Sequence, residues 1–105
     1  MSDTKTGYVL FYRDVMNNEI FKNANPNAWK LFSYCVFKAH YRKHPRGQFT
    51  TTYSEIQDET NMSRATISKF LKFLKEQGAI DYRTDHQKTT IEVINYDKYQ
   101  LKKYE

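Results

Sequence analysis

The side chains best suited to do chemistry cluster in one stretch of the chain. Between Ser63 and Gln77 the sequence carries Arg64, Lys69, Lys72 and Lys75 against the single acid Glu76, interleaved with Thr66 and Ser68. Cations and hydroxyls in this mixture neutralise anions and donate hydrogen bonds; they do not make an acid–base pair. Ile67, Phe70, Leu71 and Leu74 recur among them at intervals of three and four, the period of a helix. The segment therefore reads as an amphipathic helix over 64–77. Its apolar stripe faces a core, and Arg64, Thr66, Ser68, Lys69, Lys72 and Lys75 lie on accessible faces. Ser63 is the expected N-cap and Gly78 the expected stop.

Other reactive side chains do not converge. Glu55, Asp58 and Glu59 share one short helix and imply a solvated face. His40 and His44 are four apart on a helix, but His86 sits on a different element, so the ligands for a metal are not brought together. Cys35 lies among Phe32, Val36 and Ala39, which suits a small core residue. It is the only cysteine, so no intrachain disulfide can form, as suits a reducing cytoplasm. The glycines are Gly7, Gly47 and Gly78, which excludes a phosphate-binding loop or a dinucleotide fingerprint. The expectation is a non-enzymatic chain with no catalytic residues, metal or cofactor. No apolar run is long enough to span a bilayer, and the polar lead 1–7 has no apolar signal core.

The elements that must position the basic helix follow from local pattern. A chain of 105 residues with 39% hydrophobic and 16% aromatic residues suits one small folded domain, expected over 8–95, with a short helix or tail over 96–105. Val9, Phe11, Val15 and Met16 suggest a short packing element that Asn17-Asn18 would end. Asn25 caps and Pro26 opens a helix carrying Trp29, Leu31, Phe32, Cys35, Val36 and Ala39 inward, with Lys38, His40, Tyr41, Arg42, Lys43 and His44 towards its end and Pro45 as its stop. Gly47 opens a turn into a small strand at 48–51. Thr52 and Glu55 form a capping box for a helix to about Thr60, anchored by Tyr53 and Ile56. After Gly78 the period changes from helical to alternating: Ile80, Tyr82 and Thr84, then Ile91 and Val93, with the polar tip Asp85-His86-Gln87-Lys88 between them. This is a β-hairpin. Trp29, Phe32, Phe49, Phe70 and Tyr82 are expected in the core, with Phe73 at its border.

Two helices joined by the short turn Asn61-Met62-Ser63 form a helix-turn-helix, and a following hairpin makes the winged variant. The expected fold class is α+β, a winged helix-turn-helix with a small three-stranded antiparallel sheet. The third strand is needed because two strands alone are marginal. A net charge of +5 suits a polyanionic partner. The expected partner is double-stranded DNA, with the helix after Ser63 in the major groove. Arg64, Ala65 and Ser68 are assigned to base edges, Lys69 and Lys72 to bases or phosphates, and Ser63 with the first free amides to a phosphate. Thr66 faces either the groove or the preceding helix. Arg83, His86, Gln87 and Lys88 are the wing candidates, offset by Asp81 and Asp85. A homodimer is a further expectation, since paired modules read palindromes. Tyr96, Tyr99 and Tyr104 either fold back on the core or offer a partner surface. A winged adaptor that binds protein is the competing reading.

The stretch TYSEIQDETNMSRATISKFLKFLKEQGAID, residues 52–81, resembles the winged-helix domains of bacterial regulators. With GYVLFYRDVMNNEIF near the start, RGQF before the second helix and INYDKYQ after the wing, the chain also resembles the N-terminal domain of phage-type replication initiators, the DnaD-like replisome organisers, over roughly residues 7 to 100. That resemblance implies origin binding and self-association in replication initiation. It places Arg64, Thr66, Ser68 and Lys69 on the recognition helix and residues 83–88 on the wing. The family continues past this domain, whereas the sequence ends at Glu105. An excised domain and a free-standing small regulator or adaptor are both open at this point.

Overall fold

A computed structural model describes residues 16–17, 19–22, 25–39, 47–94 and 96. The elements are α1 (Glu19–Lys22), α2 (Pro26–Lys38), β1 (Gln48–Thr51), α3 (Tyr53–Thr60), α4 (Arg64–Glu76), β2 (Ile80–Asp85) and β3 (Lys88–Val93). The strands form one antiparallel sheet in the order β1-β3-β2. The short strand before the helix-turn-helix thus pairs with the second arm of the hairpin, and the α+β class is met.

The local signals act as their chemistry requires. Asn25 accepts from the amide of Asn27 at 2.8 Å, with Pro26 at the first helical position. Thr52 accepts from the Glu55 amide at 3.1 Å while Glu55 accepts from the Thr52 amide at 3.2 Å. This closes the capping box that starts α3. Ser63 accepts from the Thr66 amide at 3.1 Å and starts α4. At the other end of α4, the Gly78 amide donates to Lys75 and the Ala79 amide to Leu74, both at 3.0 Å. With Gly78 at φ +76°, this is a Schellman stop, a conformation open to glycine at little cost.

The core is the meeting of α2, α3 and α4 with the inner face of the sheet. Leu31, Phe32, Cys35, Val36, Ile56, Ile67, Leu71, Leu74, Ile80 and Ile91 are buried there. The α4 stripe read from the sequence is buried as expected, and Phe73 lies at the border. Tyr34 is also buried, with its hydroxyl donating to Glu59 Oε1 at 2.7 Å.

Several expectations need correction. Trp29 and Tyr82 are half-buried at the border of the core rather than inside it. Trp29 sits edge-on to Phe21 at 5.1 Å between ring centroids, and Tyr82 lies under the Lys75 ammonium at 5.4 Å. Met16, expected to pack, is exposed, and the rest of its expected element lies outside the described residues; α1 begins at Glu19 and buries Ile20. Helix α2 ends at Lys38, with Ala39 already extended; it does not run to Pro45. The expected basic end at His40, Tyr41, Arg42, Lys43 and His44 lies outside the described residues, as do Val9, Phe11, Val15, Tyr99, Tyr104 and the lead 1–7. Tyr96 folds back on the core and is buried.

The hairpin tip is tighter than the four polar residues suggest. Asp85 pairs with Lys88 in the ladder, so only His86 and Gln87 form the turn. Their φ values are +51° and +72°. Two positive φ values in succession belong to the primed turn whose twist matches the flanking strands.

Candidate nucleic-acid interface

Helix α4 is held from both sides. Its buried stripe packs on the core, its N-terminus is capped by Ser63, and its C-terminus is closed by Gly78. This fixes which residues face out. Arg64, Ala65, Ser68, Lys69 and Lys72 are all exposed. Ala65, Ser68, Lys69 and Lys72 follow at intervals of three and four on the side opposite the apolar stripe. Among the described residues none of these four side chains is in an ion pair. Lys69 Nζ lies 5.4 Å from the Phe70 ring centroid. Arg64 lies on the flank nearer α3, its guanidinium 4.7 Å from the centroid of Tyr53.

Two side chains of the helix make contacts that the sequence left open. Thr66 is half-buried, and its hydroxyl accepts from the Ser63 hydroxyl at 2.9 Å. Both groups thus serve the cap, leaving the first amides of the helix to meet an anion. Lys75 is exposed as expected, and it turns to the base of the hairpin and pairs with Asp81 at 3.3 Å. That contact ties the end of α4 to β2 and offsets an acid of the wing.

The hairpin has two unlike faces. Ile80, Tyr82 and Thr84 share a face with Thr89, Ile91 and Val93, turned towards the helices. Arg83 and Lys88 alternate onto the outer face, in the company of Asp81, Asp85 and Glu92. Their charge is therefore diluted by acids on the same surface. His86 and Gln87 project at the tip, and His86 Nε2 is 3.4 Å from Asp85 Oδ1 with both side chains solvated. Thr84 is exposed on the helix side of the sheet. Its place follows from the alternation read in the sequence, and its hydroxyl lies 3.1 Å from that of Thr89.

Two of the three acids of α3 make structural contacts, and Asp58 is exposed. Glu55 accepts from Thr51 Oγ1 at 3.0 Å besides closing the cap, and Glu59 receives the Tyr34 hydroxyl and pairs with Lys38 at 3.4 Å. These contacts fasten α3 to β1 and to α2. Burial raises the Tyr34 hydroxyl well above the ordinary tyrosine range, reinforced by the Glu59 carboxylate it bonds. Burial likewise pushes the Cys35 thiol up to about 12.

No group of histidine, cysteine, aspartate or glutamate among the described residues is arranged to hold a metal. His40 and His44 lie outside them. Among the described residues no helix is long and apolar enough to cross a membrane.

Comparison with known proteins agrees with this geometry. No curated protein matches the chain. Residues 50–82 match the family model described as bacterial regulatory protein, ArsR family. The matched span starts in β1, contains α3 and α4, and ends in β2, so the similarity covers the helix-turn-helix and the root of its wing. Fold, exposed basic helix and family similarity converge on one conclusion: this segment is a DNA-binding winged helix-turn-helix.

Proposed function

We propose that the chain is a sequence-specific regulator that inserts α4 into the major groove of duplex DNA and rests its hairpin tip on the adjoining backbone. The observation that carries this is the outer face of α4. Ala65, Ser68, Lys69 and Lys72 form a continuous exposed row with Arg64 beside it, and no acid interrupts the row before Glu76. A groove lined by acceptors and flanked by phosphates suits such a row.

In this reading Arg64 pairs with a guanine edge, Ala65 meets a thymine methyl, and Ser68 bonds a base. Lys69 and Lys72 neutralise phosphates or reach a neighbouring base. The first amides of α4, beside Ser63 and Thr66, hold a phosphate. On the wing, His86 and Gln87 make the principal approach, and Arg83 and Lys88 act from the outer face. The chain works by binding rather than catalysis, since Glu55 and Glu59 are engaged with the cap, Tyr34 and Lys38.

The similarity to bacterial regulatory proteins favours transcription control. The likeness of GYVLFYRDVMNNEIF and INYDKYQ to replisome organisers favours replication initiation in a phage or mobile element, and these segments lie beyond the matched span. Selection of bound duplexes from a random pool separates the two. A palindrome supports a dimeric regulator, and tandem repeats support an initiator. On the selected duplex, Lys72→Ala lowers affinity on all sequences alike and reduces the salt slope by about one unit. Arg64→Ala relaxes preference at one base pair. Failure of the parent to shift any duplex in dilute salt overturns the proposal and favours a protein partner.

A further inference from the structure

We infer that Tyr53 is a specificity-determining residue that presets Arg64 for pairing with a base edge. The inference rests on the duplex-binding reading of α4 and extends it to a residue on the neighbouring helix.

Three observations carry it. First, the Arg64 guanidinium lies over the Tyr53 ring at 4.7 Å, and among the described residues no carboxylate pairs with it. Second, the ring is not free to follow the arginine. Tyr53 is the first residue of α3 and is packed against the core at its border. The backbone beneath it is pinned by the Thr52–Glu55 capping box and by the bond from the buried Thr51 to Glu55. Third, Arg64 is the first residue of α4 and is itself exposed, so a partner can reach it from solvent.

Guanidinium geometry makes this arrangement useful. A ring attracts the flat face of the cation, whereas hydrogen bonds leave through its edge. Stacking therefore restricts the rotamers of a long side chain without consuming a donor. The edge stays free for two parallel bonds to acceptors such as guanine O6 and N7. An unstacked arginine would have to lose that freedom on binding. The ring so converts a mobile cation into an oriented fork, and it favours the base pair that the fork fits over those it does not.

The test uses the selected duplex and its single-base-pair variants, with Tyr53→Leu, Tyr53→Phe, Arg64→Ala and the double variant. Tyr53→Leu should lose about two- to fivefold of discrimination, confined to the base pair at which Arg64→Ala loses it. Affinity for unrelated duplex and the salt slope should stay at parental values. Tyr53→Phe should retain full discrimination, and Tyr53→Leu should add nothing in the Arg64→Ala background. In the free parent protein, ring-current displacement of the Arg64 side-chain proton signals is expected whether or not any variant folds.

If Arg64→Ala loses discrimination while Tyr53→Leu keeps it, the inference is wrong and the reading of α4 stands. A uniform loss on all duplexes from Tyr53→Leu, or undisplaced Arg64 signals, overturns it likewise. A gain in discrimination would mean that the stack withholds Arg64, which also overturns it. If the parent selects no duplex, or Arg64→Ala is indifferent, the reading of α4 fails and takes the inference with it.

Discussion

Replacing His86-Gln87 by Asn-Gly should make the protein more stable and a weaker binder. Both positions of the turn hold positive φ, +51° and +72°, where a side chain crowds its own carbonyl at a cost of roughly 1–2 kcal/mol per residue. Asparagine is tolerated there and glycine is unstrained. Glycine gives back part of that through its larger unfolded-state entropy, of order 0.5–1 kcal/mol. The other terms are small, because His86 and Gln87 are exposed and the His86–Asp85 contact is solvated on both sides. The net expectation is a gain of about 1 kcal/mol, or about 4–8 °C in Tm for a domain of this size. Thermal unfolding by circular dichroism reads it directly. Binding to the selected duplex at fixed salt reads the other half, where loss of the two tip side chains should lower affinity a few-fold. A fall in Tm would refute the reading of the turn. A rise in Tm with unchanged affinity would refute the wing contact and leave the fold intact.

Two glycines offer a matched comparison. Gly47 and Gly78 have nearly the same φ, +78° and +76°, but a Cβ at Gly78 meets nothing within 4 Å, whereas one at Gly47 falls 2.8 Å from Tyr96 Cβ. Gly78→Ala should therefore cost about 1–2 kcal/mol from conformation alone, and Gly47→Ala a further 1–3 kcal/mol or so from overpacking. Denaturant melts check both, and Tyr96→Gly, which removes the Cβ that is met, should recover the excess only in the Gly47→Ala background. Alkaline pH supplies another test. The Cys35 thiol and the Tyr34 hydroxyl are raised above their ordinary values of 9.0 and 10.0 in the folded protein. The unfolded chain then releases these protons first, and stability falls as pH rises above about 9. The slope reaches up to about 1.4 kcal/mol per pH unit for each group. Melts from pH 8 to 11 should show a shallower decline for Cys35→Ala with Tyr34→Phe; an identical decline would refute the burial argument.

Much of the fold is local and so was legible as sequence. Thr52 with Glu55, Ser63, Asn25 with Pro26, and Gly78 mark element ends because each satisfies backbone groups within a few residues of itself. The stripe Ile67, Phe70, Leu71 and Leu74 marks the buried side of α4 because helical period alone sets which side chains share a face. The outward residues of the candidate interface follow from the same period. The period puts Arg64, Thr66, Ser68, Lys69, Lys72 and Lys75 on accessible faces, and Ala65 joins the candidates through its place near the N-terminal end of the helix.

What tertiary structure decided is every matter of which distant groups meet. No local pattern says that Lys75 turns to Asp81, that Arg64 lies on Tyr53, or that Glu59 is taken up by Tyr34 and Lys38. Alternation within β2 already puts Arg83 on one face with Asp81 and Asp85, but that Lys88 and Glu92 join them there depends on the register with β3. Period and capping are fixed by covalent neighbours, whereas charge pairing and cross-strand company are fixed by packing. Sequence by itself therefore determined the elements and the face that α4 presents; only the assembled chain decided which of its cations remain available to a partner.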